Sequence, residues 1–183
     1  MAELVIREAR PDEREAIIVL TLVAYGEYAA HMPEPYWEAY RANIVATLTD
    51  VAPAAQLVAR SGDAIVGTVL LYPPHGFTAP SGEALLTVAT PTVRLLAVAP
   101  AARGRGVGSQ LMAECVRRAL ELGSTALTLH TTGMMQAARR MYGRMGFVRA
   151  PEIDFRPLPD FTVEGYRLDL TRDGDATEEP GGE

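Results

Sequence analysis

A chain of 183 residues, 48% of them apolar, is long enough to bury one continuous core and short for two, so a single domain is expected. Net charge is −6 with an isoelectric point near 5.1, which speaks against nucleic acid as a main partner, since that binding draws on clustered Lys and Arg, and suits a cationic or amine substrate. The opening run MAELVIREAR carries charges, and no later stretch approaches the roughly 20 apolar residues of a membrane span, so a soluble, cytoplasmic protein without signal peptide or membrane partner is expected.

Leu4 to Glu8 alternates in polarity and is β-branched enough for a first strand. Pro11, followed by Asp12 and Glu13 near the positive end of a helix dipole, opens a helix to about Ala24. A loop with Gly26, His31 and Pro33 precedes a second helix from Pro35 to Leu48. Strands over Gln56 to Arg60 and Ile65 to Tyr72 are joined by Ser61, Gly62 and Asp63, a connection of hairpin type. Pro73 to Gly82 holds three prolines and two glycines and is read as a loop.

A strand over Thr92 to Val98 then leads through Pro100 into a glycine-rich loop and a helix ending near Leu122. A strand from Thr125 to Thr131 follows, then a helix from Met134 to Met145 with Gly146 at its C-cap position. Strands over Val148 to Ile153 and Val163 to Leu170 close the folded part, residues 1–170. Beyond it, residues 171–183 are acidic with almost nothing to bury, and a disordered tail is expected. The order describes an α/β fold, a mixed sheet with helices on both faces and β-α-β crossovers confined to the second half.

Cys115 is alone, so neither an intramolecular disulfide nor a CxxC metal pair is possible, and no metal site is expected. With Val107, Leu111, Met112, Val116 and Ala119 at helical spacing around it, the thiol is read as a packing residue and not a nucleophile.

The chemistry centres on Val93 to Ser109, a buried strand running into glycines at 104, 106 and 108 with an amphipathic helix directly after. Such glycines let backbone approach a ligand closely and leave N–H groups unpaired at a helix start, a phosphate-binding arrangement. A P-loop requires Gly-Lys-Ser/Thr, and the chain contains no Lys. A dinucleotide fingerprint requires a third glycine where Ser109 stands.

The run Arg103-Gly104-Arg105-Gly106-Val107-Gly108 fits the pattern Arg/Gln-x-x-Gly-x-Gly/Ala. One helix and one strand later, Leu127, Leu129 and Thr131 alternate, and Ala138, Tyr142, Gly146 and Phe147 stand at the spacing Ala-x-x-x-Tyr-x-x-x-Gly-Phe. Together these segments, covering Thr92 to about Val148, closely resemble the GNAT superfamily of acyl-CoA N-acyltransferases. The resemblance implies the GNAT fold, with a central sheet of six to seven strands splayed in the middle and about four helices, and acetyl-CoA as acyl donor to a primary amine of a small molecule or protein. Dimers are common among proteins of that fold, and the state stays open between monomer and homodimer. A module that binds acyl-CoA without turnover is the alternative activity.

By the same resemblance, the backbone of Leu96, Ala97 and Val98 contacts the acyl carbonyl and pantetheine arm, and Arg103, Gly104, Arg105, Gly106, Val107, Gly108 and Ser109 hold the pyrophosphate. Ala138 and Tyr142 face the cofactor, with Tyr142 as proton donor to the departing thiolate. His130, on the preceding strand where members acting on protein N-termini carry a Glu, is the candidate base. Glu83, His31 and Glu27 are alternatives, because the strand Thr92 to Val98 carries no carboxylate. Met135 replaces an Asn common in the family. Tyr25, Tyr28 and Trp37, with Tyr36 and Tyr40, either line an acceptor groove or pack two helices together, and the Phe155 to Phe161 loop is a further candidate wall.

Overall fold

The computed structural model describes residues 3–50, 53–78, 84–158 and 161–170. In chain order the elements are β1 (Leu4–Glu8), α1 (Arg14–Gly26), α2 (Glu34–Asp50), β2 (Ala55–Ser61), β3 (Ala64–Tyr72), β4 (His75–Thr78), β5 (Ala84–Val88), β6 (Thr92–Val98), α3 (Val107–Glu121), β7 (Ala126–Thr131), α4 (Gln136–Arg144), β8 (Val148–Arg149), β9 (Phe155–Leu158) and β10 (Phe161–Asp169). The main sheet runs β1-β2-β3-β6-β7-β10-β8, with β9 paired to β10, and β4 and β5 form a separate pair. This is the mixed sheet the chain order implied, one or two strands wider.

Strand alternation sorts the core into two layers. Leu57, Val69, Leu71, Val93, Leu127 and Leu129 face the α3 side, against Leu111, Met112, Cys115, Tyr142 and Phe147. Val58, Leu70, Tyr72 and Ala97 face the other way, against Ile17, Ala24, Tyr25, Ile44 and Leu48 of α1 and α2. Cys115 is fully buried and its thiol is pushed up to about 12 by desolvation, so it packs as expected of a small hydrophobe.

Every pairing in the main sheet is antiparallel except β6 with β7, which is parallel and spans only Thr92↔Thr128 and Val93↔Leu129. A polar clasp holds this short ladder. Thr92 Oγ1 and Thr128 Oγ1 lie 2.8 Å apart, and the Thr128 N–H and hydroxyl donate to Pro91 O at 3.0 and 3.1 Å. Beyond Val93 the two strands part. On the other edge of β6, Leu70 faces Arg94 and Thr68 faces Ala97, so Leu95 and Leu96 share one position on β3. That extra residue makes a β-bulge, and Leu95 takes a left-handed φ of 50° to accommodate it.

Four boundaries differ from the sequence reading. Pro11–Glu13 is a 3-10 turn and α1 proper starts at Arg14; the Glu13 carboxylate bonds Arg7 and the Arg10 N–H, which holds the turn. The proline-rich segment from Pro73 contains β4, because its backbone finds a partner in Ala84–Val88, a strand the sequence reading lacked. The strand after α4 stops at Arg149, since Pro151 opens another 3-10 turn. Phe155–Leu158 is not a loop but an edge strand, in a position that tolerates Pro157. The tail at 171–183 and Glu83 lie outside the described residues.

Gly165, opposite His130 on β10, has no room for a side chain: a Cβ would collide with Ile153 and lie 2.8 Å from Ala150 O. Gly165→Ala is therefore expected to destabilise the fold by about 1–3 kcal/mol, seen as a lower urea midpoint with unchanged slope. An unchanged midpoint would show that this edge repacks freely.

Candidate functional site

Where β6 and β7 part, a cleft of about 550 Å³ opens through the sheet. It is lined by β6, the glycine loop, α4, His130 and the end of α1.

Two backbone features shape its walls. Ala99 N–H bonds Val66 O at 2.9 Å, and antiparallel alternation then turns Ala97 toward β3 and the N–H and C=O of Val98 toward the cleft. Leu96 and Val98 accordingly line the cleft, whereas Ala97 packs on the α1 side and does not. At the loop, Gly104 and Gly106 adopt φ of 72° and 78°, and a Cβ at either would meet nothing within 4 Å, so the space before them is open. The first turn of α3 closes with Gln110 N–H on Gly106 O at 3.0 Å, so the amides of Val107, Gly108 and Ser109 have no intrahelical partner. Open space before left-handed glycines and a row of amides at a helix start fit a diphosphate.

Of the residues expected here, Gly104, Gly106, Val107, Gly108, Ser109, Ala138 and Tyr142 all line the cleft, and Arg105 points to solvent instead. Arg103 lines it but is already engaged. Its Nη1 is 2.5 Å from Glu27 Oε2, its Nη2 donates to Ala24 O and its Nε to Val98 O, which ties the glycine loop to the end of α1. Glu27 is thus an ion-pair partner of Arg103 at the cleft's edge. Met135, in the place of the family's Asn, lines the wall with an apolar surface.

Tyr142 is 6% exposed and packs against Phe147 with ring centroids 5.8 Å apart. Burial, with Tyr28, Cys115 and Tyr40 adding to it, drives its phenol well above the usual value, so at neutral pH it is a proton donor. His130 sits on β7 with Nε2 2.8 Å from Ile153 O. A carbonyl only accepts, so Nε2 carries the hydrogen and Nδ1 holds the lone pair in the neutral ring.

The aromatic group divides. Tyr25 and Tyr28 line the cleft, their rings 6.1 Å apart, while Trp37 packs edge-on to Tyr40 beside α1, a helix-packing role. Tyr36 stacks on Tyr40 and meets Phe161 at 5.1 Å, and His31 is not among the lining residues. Sequence reasoning missed three cleft arginines, Arg94, Arg140 and Arg144. A single charge inside the otherwise apolar run Val93 to Val98 was the available signal for the first.

Residues 15–147 match the model of the Acetyltransferase (GNAT) family. The chain belongs to the GNAT family. Among curated relatives, it is 33% identical over 78 residues to the N-alpha-acetyltransferase MAK3 of Arabidopsis thaliana, a stretch covering 43% of this chain and 40% of that protein. Among solved structures, its fold is similar to that of a Corynebacterium glutamicum protein described as histone acetyltransferase HPA2 and related acetyltransferase, with a TM-score of 0.68, 21% identity, and 95% and 99% of the two chains covered. A GNAT family acetyltransferase from Brucella melitensis in complex with acetyl-CoA aligns with a TM-score of 0.59 at 20% identity, over 94% of this chain and 92% of that one. GNAT folds thus share this sheet at low identity.

Gly106→Asp places a carboxylate in the open space before the amides. Acetyl-CoA binding by calorimetry is expected to be abolished, at a stability cost of only about 1–2 kcal/mol for the left-handed backbone. Undiminished affinity in a folded variant would remove the diphosphate from this loop.

Proposed function

We propose that this chain transfers an acetyl group from acetyl-CoA to a primary amine of a small molecule or protein. The observation that carries the reading is a single cleft joining amide-lined glycines, the inward-turned backbone of Val98 and a proton-bearing phenol at Tyr142. The Brucella relative holds acetyl-CoA and the Arabidopsis relative is named as an N-alpha-acetyltransferase, which supports the same donor and acceptor chemistry.

In this reading the amides from Gly104 to Ser109 bind the diphosphate, and the Val98 N–H receives the negative charge that develops on the acyl oxygen. His130 takes the proton that the amine sheds as its nitrogen bonds to the acyl carbon. Tyr142 gives its proton to sulfur as the carbon–sulfur bond breaks. Tyr142 is buried and His130 half-buried at the cleft, where neutral phenol and neutral imidazole cost less to desolvate than charged groups.

Tyr142→Phe preserves the packing against Phe147 and removes the proton. Thiol release across an amine panel should fall by about 100-fold or more with acetyl-CoA affinity unchanged. A binding-only module would instead show tight acetyl-CoA binding and no turnover of any amine by the wild type. His130→Ala should flatten the acidic limb of the pH–rate profile near neutrality, where imidazole titrates; a limb that persists would make His130 a structural residue held by Ile153.

A further inference from the structure

Helix α4 carries Arg139, Arg140 and Arg144, and the structure treats them differently. Arg139 is neutralised: its Nε donates to the Tyr166 hydroxyl at 3.0 Å, and its Nη2 lies 3.3 Å from Glu164 Oε2. Arg140 and Arg144 stand one turn apart on another face, with Ala137 and Met141, and all four line the cleft. Both are exposed, and neither forms an ion pair or hydrogen bond with any other described residue. No acid stands three or four residues from either, so along the helix each meets only the other's like charge. Arg117 and Arg118 on α3, by contrast, are both paired with Glu114.

The pair stands beside the glycine loop. A Cβ on Gly108 would meet the sulfur of Met141 at 3.2 Å, so the face of α4 that carries the two arginines lies directly against the first turn of α3. Gly104, Gly106 and Ser109 line the same cleft. The amides of that loop supply only partial charge, and Arg103 is held by Glu27. Coenzyme A brings three phosphates. Those of the diphosphate carry a single charge each. The third, on the 3′ carbon of the adjoining ribose, is a monoester with three terminal oxygens and a charge of about −1.5 to −2 at neutral pH. A row of amides suits the diphosphate, whereas the denser charge of the monoester calls for cations, and a planar guanidinium offers it two parallel N–H···O bonds.

We infer that Arg140 and Arg144 form the site for the 3′-phosphate of coenzyme A, so that this chain distinguishes coenzyme A from its dephospho form. The inference rests on the reading that the glycine amides hold the diphosphate, and needs nothing of the acyl-transfer step. Binding of the monoester also relieves the repulsion between two like charges on successive turns of α4.

Calorimetry with coenzyme A and with 3′-dephospho-coenzyme A tests it. The wild type is expected to bind the dephospho form roughly 10- to 100-fold more weakly. Arg140→Gln/Arg144→Gln should weaken coenzyme A to that level and leave the dephospho form unchanged, which also reports that the variant is folded. Arg140→Lys/Arg144→Lys should recover part of the preference. Removing two exposed arginines outside the cleft, in Arg14→Gln/Arg41→Gln, should preserve it. A second readout follows the phosphate itself. Neighbouring cations favour the dianion, so the second pKa of the bound 3′-phosphate, read by phosphorus NMR, is expected below its ordinary value of about 6 in the wild type and back near it in Arg140→Gln/Arg144→Gln.

Equal wild-type affinity for the two nucleotides overturns the assignment. So does a preference undiminished in Arg140→Gln/Arg144→Gln, or one lost as fully in Arg14→Gln/Arg41→Gln. Equal loss of affinity for both nucleotides in Arg140→Gln/Arg144→Gln would assign the two guanidinium groups to the diphosphate instead. Gly106→Asp separates the two levels. Equal binding that this variant abolishes would sink the 3′-phosphate site and leave the diphosphate on the loop. A preference for coenzyme A that survives in Gly106→Asp would sink the role of the loop and leave the arginine pair.

Discussion

The parting of β6 from β7 is the constraint on which the rest of this molecule depends. Two register pairs and a threonine clasp hold the strands together at one end, and past Val93 each strand is paired to another strand only on its outer edge. Buried strand backbone ordinarily has to be paired. Here the inner edge of β6 is left facing a cleft, and the bulge at Leu95 sets which of its groups turn inward. The same strand delivers the chain straight into the left-handed glycines at the start of α3, so cleft wall and anion-binding amides come from one continuous segment.

Charge is distributed to serve that opening. The net charge of −6 describes the surface, where glutamates pair with arginines along α3 and at β1. Among the described residues that line the cleft the balance reverses, and arginines outnumber acids. An acidic protein can in this way present a basic, partly dehydrated slot, in which ion pairing is stronger than in water. Net charge is a sum over the whole chain and carries no information about which charges share a cavity.

Much of the fold was legible in the sequence wherever one periodicity ruled a segment. The helical spacing of Val107, Leu111, Met112, Cys115 and Ala119 placed α3 and its buried thiol, and the glycine spacing at 104, 106 and 108 placed the loop. Elements set by long-range pairing were less legible. β4 and β9 both lie in proline-containing segments and exist because another segment offers them an edge, which no local pattern records. At the site, the motif residues other than Arg105 line the cleft, and the positions that depend on the bulge were not foreseen. Ala97 turns to β3 and Arg94 to the cleft because one extra residue resets the alternation between them. Trp37, left open between lining the acceptor groove and packing helices, packs into the layer shared by α1 and α2, beside Tyr40 one turn later on its own helix.

The claim at the centre is that the backbone along this parting, from Val98 through Ser109, takes the donor. Residue-resolved amide shifts recorded while acetyl-CoA is titrated into the protein test it most directly. The account predicts the largest, saturable changes at the amides of Val98 and of Gly104 to Ser109, with β1 and β2 on the far edge of the sheet unmoved. Saturable changes concentrated elsewhere, with the glycine amides silent, would contradict it.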